Sequence, residues 1–148
     1  MLSITTATED DMQRIIDIER DAISPPWTHG ALLGEIYRDD SFFSLVSDDG
    51  ATLGFVILRH AADEGELLQI AVDKAARRNG AADALMDAAL SWAKEKSLCA
   101  IYLEVRKTNE AAIALYEKHG FKQIGTRKDY FTDPIEDAAI MTVRNGKN

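Results

Sequence analysis

The segment Arg77-Arg78-Asn79-Gly80-Ala81-Ala82 sits where a β-rich run gives way to a long amphipathic one, and that combination can bind phosphate. The first backbone N–H groups of a helix lack partners within it and lie at the positive end of its dipole, so they can cradle a pyrophosphate while Arg78 adds charge. An ordinary strand-to-helix turn with solvated arginines has the same spacing. The segment lacks the Gly-Lys-Ser/Thr of a nucleotide P-loop and the three glycines of a dinucleotide fingerprint, which disfavours both of those readings. A second candidate is Glu104. In Ile101-Tyr102-Leu103-Glu104-Val105, alternation puts Ile101, Leu103 and Val105 on one face and Tyr102 with Glu104 on the other. A carboxylate in a helix-covered central strand is costly to bury unless a partner or a water-filled cleft meets it, which makes Glu104 a candidate general base. The alternative is a wet strand face on which Glu104 pairs with Arg106 or a lysine. Tyr116 is the third candidate. It shares a helix face with Asn109, Ala112 and Ile113, so its hydroxyl can point toward whatever binds at the cap, although core packing also accounts for a tyrosine there. His29, His60 and His119 show no metal-ligand spacing, and no metal is expected. Cys99 has no obvious activating neighbour and reads as an inert thiol.

These residues need elements to hold them. Leu2–Thr6 fits a first strand, and Thr8-Glu-Asp-Asp11 approximates a capping box opening a helix with Met12, Ile15, Ile16 and Glu19 on one face. That helix should stop near Ser24, because Pro25-Pro26 forbids continuation. A short helix after Trp27-Thr28 carries Leu32, Leu33, Ile36 and Tyr37. Phe42–Ser47 and Thr52–Arg59 are β-rich and joined by Asp48-Asp49-Gly50, a hairpin signal. Glu66–Val72 reads as a strand and Asp73–Asn79 as a polar turn. Gly80–Lys96 reads as a helix whose apolar face is Ala81, Ala84, Leu85, Ala88 and Trp92. After a strand at Ala100–Val105, Asn109 can cap a helix running to Lys118, which His119-Gly120 stops. Phe121–Lys128 and Ala138–Val143 supply two more strands. The order indicates a mixed sheet flanked by helices, with its parallel part at the centre.

With 148 residues and no linker, repeat or low-complexity tract, the chain is expected to form a single domain over 1–148. A lone cysteine excludes an intramolecular disulfide and favours a reducing, cytoplasmic setting. The longest apolar runs, Leu98–Leu103 and Ala111–Tyr116, fall far short of the roughly 20 residues a membrane helix needs, and no signal peptide is evident. No membrane partner is expected. A net charge of −8 argues against nonspecific nucleic-acid binding, which needs clustered Lys and Arg. The charge is uneven: residues 1–74 carry 15 acidic and 5 basic side chains, residues 75–148 carry 10 and 12. A negative first half would attract a cationic partner, although solvated acidic helix faces give the same count.

Taken together, the segments resemble the GNAT superfamily of acetyl-CoA-dependent N-acetyltransferases. Arg77-Arg78-Asn79-Gly80-Ala81-Ala82 matches that family's Arg/Gln-x-x-Gly-x-Gly/Ala loop, with Ala82 where a second glycine often lies. Leu68-Gln-Ile-Ala-Val-Asp73, Leu103-Glu-Val-Arg106, Asn109-x-x-Ala-Ile-Ala-Leu-Tyr-Glu117 and Gly120-Phe121 are similar, in order and spacing, to the bacterial ribosomal-protein-alanine N-acetyltransferases within it. Pro26-Trp27 and Glu136-Asp-Ala-x-Ile-Met141 extend the likeness over nearly the whole chain, whereas Lys128-Asp129-Tyr130-Phe131 replaces a more usual Arg-Asn-Tyr-Tyr.

The resemblance implies an α/β (α+β) fold: a mixed, mainly antiparallel sheet of about seven strands with about four flanking helices. It further implies that Ile70, Ala71 and Val72 present strand backbone to the pantetheine arm of acetyl-CoA, that Arg78, Asn79, Gly80, Ala81, Ala82 and Asp83 hold its pyrophosphate, and that Asn109 contacts coenzyme A. Glu104 would be the proton acceptor and Tyr116 the proton donor to the leaving thiolate. Trp27 and Tyr130 would border the acceptor, a protein N-terminal peptide such as that of ribosomal protein S18. The competing readings are a GNAT enzyme acting on a lysine or small amine, an acetyl-CoA-binding regulatory module, and a non-enzymatic interaction domain.

Overall fold

The computed structural model describes residues 1–144, so the last four residues of the expected domain, 145–148, lie outside the described residues. Strand β1 (Leu2–Thr6) leads into a 3₁₀ turn at Glu9–Asp11 and helix α1 (Met12–Ala22). The expected cap is present, the Thr8 N–H donating to the Asp11 carboxylate at 2.8 Å. Helix α1 ends three residues before Pro25, and α2 (His29–Ile36) begins on Thr28, whose hydroxyl accepts the Ala31 N–H. Strands β2 (Ser41–Asp48) and β3 (Ala51–Ala61) form a hairpin over Asp49 and Gly50. Both turn residues have positive φ, the geometry that matches the twist of the paired strands. Then come β4 (Glu64–Val72), α3 (Ala81–Glu95), β5 (Ala100–Arg106), α4 (Glu110–Lys118), β6 (Lys122–Phe131) and β7 (Glu136–Arg144).

The seven strands lie in the order β1-β2-β3-β4-β5-β7-β6, and β4–β5 is the one parallel pair among the described strands. Its ladder is short. Glu64, Gly65 and Glu66 pair with Ala100, Ile101 and Tyr102. Beyond them the rest of β4 stays bonded to β3 alone and the rest of β5 to β7, so the sheet splits. Two irregularities frame the split. On β4, Ile57 pairs with Gln69 and Leu58 with Leu67, which leaves Leu68 as an extra residue. On β6 the register with β7 is lost between Arg127 and Phe131. Such bulges re-aim side chains and twist the strand locally.

Alternation along β3 divides the core between the two faces. Phe55 and Ile57 join Ile15, Ile18 and Leu32 of α1 and α2, whereas Val56 and Leu58 join Leu85, Met86 and Ala89 of α3. The buried stripe of α3 is Ala81, Leu85, Met86, Ala89 and Ala93, so Ala84, Ala88 and Trp92 of the expected face lie only half-buried beside it. Tyr37 is 64% exposed rather than part of the α2 apolar face. No helix among the described residues is long and apolar enough to cross a membrane.

Where β3 meets the open end of β4, Gly54 has no room for a side chain: an added Cβ would lie 2.5 Å from the Ala71 carbonyl oxygen and 3.0 Å from a Val72 methyl. We expect Gly54→Ala to destabilise the fold by about 1–3 kcal/mol. Urea unfolding is the check, and a midpoint that does not fall would show that the two strands separate freely.

Candidate active site

A cavity of about 810 Å³ opens at the split between β4 and β5. One wall is the free edge of β4, including Ile70, Ala71 and Val72. The chain then bends through Arg78 at φ 70° and Gly80 at φ 87°, left-handed conformations that deliver it to the first turn of α3. Arg78, Gly80, Ala81, Ala82 and Asp83 all line the cavity. Asn79 does not. Its Oδ1 accepts the Ala81 N–H at 3.3 Å, so Asn79 shapes the turn and occupies one of the helix-start donors. The Asp83 carboxylate turns toward Lys118 and His119 at 3.1 and 2.8 Å, and these two hydrogen bonds hold it below its ordinary pKa. His119 thus serves to tie α4 to α3.

The opposite wall comes from β5 and α4. Glu104 is 15% exposed and faces the cavity, with Arg127 Nε of β6 at 3.4 Å from its Oε2. Arg127, rather than Arg106 or a lysine, is therefore its basic partner. Burial pushes the Glu104 carboxyl above its ordinary pKa; Glu66, on β4, pushes it the same way and Arg127 opposes them. Asn109 caps α4, accepting the Ala112 N–H at 3.1 Å through Oδ1, which leaves its amide NH₂ as a donor at the cavity edge. Tyr116 lines the cavity with its ring packed on Phe121 at 5.8 Å and no hydrogen bond to its hydroxyl among the described residues. Burial raises its phenol well above the ordinary value, so it stays protonated.

Trp27, after α1, and Tyr130, in the β6 irregularity, complete the rim. Burial raises the Tyr130 phenol, and Glu104 and Glu66 raise it further. Sequence reasoning missed the group that draws these two edges together. Arg106, at the end of β5, donates to the carbonyls of Ser24, Thr132 and Pro134 at 2.8–2.9 Å and to the Glu136 carboxylate at 3.1 Å. Its guanidinium also lies over the Phe131 ring. Glu136 in turn accepts from the Thr108 N–H and hydroxyl. Cys99 lies outside the cavity lining, and burial first, then Asp63, pushes its thiol up. Among the described residues no three His, Cys, Asp or Glu side chains group so as to hold a metal ion.

An open strand edge, a helix N-terminus and a carboxylate with a raised pKa thus share one cleft, the parts needed to hold a long phosphate-bearing thioester beside a base. The Acetyltransferase (GNAT) family profile matches residues 11–121. The [ribosomal protein bS18]-alanine N-acetyltransferase of Haemophilus ducreyi is 33% identical over 144 residues, covering 95% of this chain and 98% of that protein. The crystal structure of the Escherichia coli ribosomal-protein-S18-alanine N-acetyltransferase superposes with a TM-score of 0.89 at 31% identity, over 100% of this chain and 98% of that one. That of Ard1 from Thermoplasma volcanium superposes with a TM-score of 0.91 at 27% identity, over 99% of each chain. The chain belongs to the GNAT acetyltransferase family, as an acetyl-CoA-dependent N-acetyltransferase.

Proposed function

We propose that the protein, folded as one domain, acetylates the N-terminal α-amine of a protein, with the N-terminal alanine of ribosomal protein S18 as its substrate, by direct attack on acetyl-CoA in a ternary complex. The observation that carries this reading is the position of Glu104: a carboxylate of raised pKa in the cleft between the open β4 edge and α4. The names of the relatives support the choice of acceptor.

Acetyl-CoA fits the cleft by its chemistry. Its amide-bearing pantetheine arm needs strand-like hydrogen bonding, which the unpaired edge of β4 at Ile70–Val72 offers. Its pyrophosphate needs N–H donors and positive charge, which the first turn of α3 and Arg78 offer. Asn109 supplies an amide donor from the α4 side. The acceptor amine then forms a C–N bond to the thioester carbonyl carbon as the C–S bond breaks. Glu104 takes the amine's proton through a water, N–H groups of the β4 edge face the negative charge growing on the carbonyl oxygen, and the Tyr116 hydroxyl donates toward the departing sulfur. The products are the acetylated peptide and the free thiol.

The raised but still carboxylic base suits an α-amine. At pH 7 an α-amine of pKa about 7.7–8.0 costs ~1 kcal/mol to neutralise, and a lysine of pKa about 10.4 costs ~4.6 kcal/mol. A cytoplasmic setting fits a chain whose one cysteine is free. The test is mass spectrometry of peptides with free or blocked N-termini after incubation with acetyl-CoA. We expect the acetyl group on the first residue of free peptides only; acetyl groups on lysines would overturn the assignment.

A further inference from the structure

Glu19 is a buried acid that the chemistry above leaves unused. It sits on the apolar face of α1 beside Ile15 and Ile18, and it is 1% exposed. Its Oε2 accepts two hydrogen bonds, from the Trp27 backbone N–H at 2.8 Å and from Gln69 Nε2 of β4 at 3.0 Å. Its Oε1 and the Gln69 Oε1 are buried with no partner among the described residues. A carboxyl group in such a place is costly, and a leucine would fill the space without leaving orphaned oxygens.

The contacts of Glu19 give the reason for an acid. Pro25 and Pro26 have no N–H, so the Trp27 amide is the first backbone donor the turn offers after Ser24. The turn is held at both ends. At Ser24 the carbonyl accepts from Arg106 of β5 and the hydroxyl donates to the Asp133 carbonyl; at Trp27 the amide is held by Glu19, which Gln69 ties to β4. Those two strands are the ones that part to form the cleft. We propose that Glu19 is a positioning residue for the acceptor peptide, fixing the Pro26-Trp27 wall at a set distance from the β4 edge. This rests on the reading of the cleft as a peptide α-amine site.

The experiment compares Glu19→Ala, Glu19→Gln and Gln69→Ala with the wild type, measuring kcat and KM for peptide and for acetyl-CoA. Loss of the acceptor leaves a half-buried N–H unmet, and we expect Glu19→Ala to raise the peptide KM about tenfold while the acetyl-CoA KM stays within about twofold. The amide oxygen of Glu19→Gln can accept the same two donors and should restore the peptide KM to within about threefold. A merely structural role would lower kcat and leave both KM values in place, and that result overturns the proposal, as does Glu19→Gln behaving like Glu19→Ala. Should Glu19→Ala not fold, Gln69→Ala is expected to raise the peptide KM by about threefold, and no rise overturns the proposal. In a Trp92→Phe background, where Trp27 is the sole indole, loss of Glu19 should increase acrylamide quenching; unchanged quenching overturns the tether. A wild type that acetylates no peptide α-amine would instead sink the reading of function, while the quenching result stands on its own.

Discussion

Glu104→Gln is expected to lower kcat about 10²–10⁴-fold, the usual contribution of a positioned general base, while acetyl-CoA binds as tightly as to the wild type. The separation follows from where Glu104 sits: on β5, across the cleft from the open edge of β4 and from the α3 turn proposed to hold the thioester. Isothermal calorimetry with acetyl-CoA gives the binding and steady-state turnover the loss. Full activity of the variant across pH 6–9 would remove Glu104 from the mechanism.

The pH profile carries the sign of its surroundings. As the proposed base Glu104 would act only when ionised, and burial together with Glu66 raises its pKa, so the acid limb is expected at higher pH than an ordinary glutamate would give. In the wild type, log(kcat/KM) should fall with a limiting slope of about two below that pKa, one proton for the amine and one for the carboxylate, and with a slope of about one in Glu104→Gln. Glu66→Gln removes a like charge and should move the Glu104 limb down in pH. Arg127→Ala removes the opposing positive charge and should move it up. Shifts in the reverse directions would mean that another group sets the limb.

The elements set by local chemistry were legible in the sequence. Asp49-Gly50, Thr28, Asn109 and Gly120 each act within a few residues, and each turn or cap stands where its chemistry requires. The α3 face was misjudged by about one residue because Ala81, Ala82, Ala84, Ala88 and Ala89 leave no sharply polar side, and the strands beneath decide which of them are covered. The parting of β4 from β5 left no trace either, since each run reads as an uninterrupted strand and the extra residue at Leu68 shows only against β3. The partner of Glu104 depends on the register of β6, far away in sequence, so the nearby Arg106 was a reasonable but mistaken candidate. Glu19 was placed on the apolar face of the first helix but given no role. A carboxylate falling on the same helical face as Met12 and Ile15 is visible in the sequence, and such a residue is either misplaced or tied to something. The chemical roles of the site residues came from resemblance; alternation, caps and glycines alone gave only candidates.

Tyr116→Phe is expected to lower kcat about 10–100-fold, less than the loss at Glu104, because of what burial does to the phenol. A group raised far above its ordinary pKa is a weaker acid than free tyrosine, and a thiolate of pKa near 8.5 would draw its proton only uphill. The role proposed for Tyr116 is therefore chiefly that of a hydrogen-bond donor to the sulfur as the C–S bond lengthens, the proton that completes the thiol coming later from water. Two consequences separate this role from full proton transfer. The alkaline side of the kcat profile should be the same in wild type and variant, since the phenol does not titrate within the assay range. A substrate whose leaving thiol is more acidic should lose less on substitution, because its thiolate needs the hydrogen bond less. Stability should not fall, since the hydroxyl has no hydrogen-bond partner among the described residues to lose and the ring keeps its packing on Phe121. A variant that unfolds more easily in urea, or an alkaline limb that appears only in the wild type, would place the phenol in a different role.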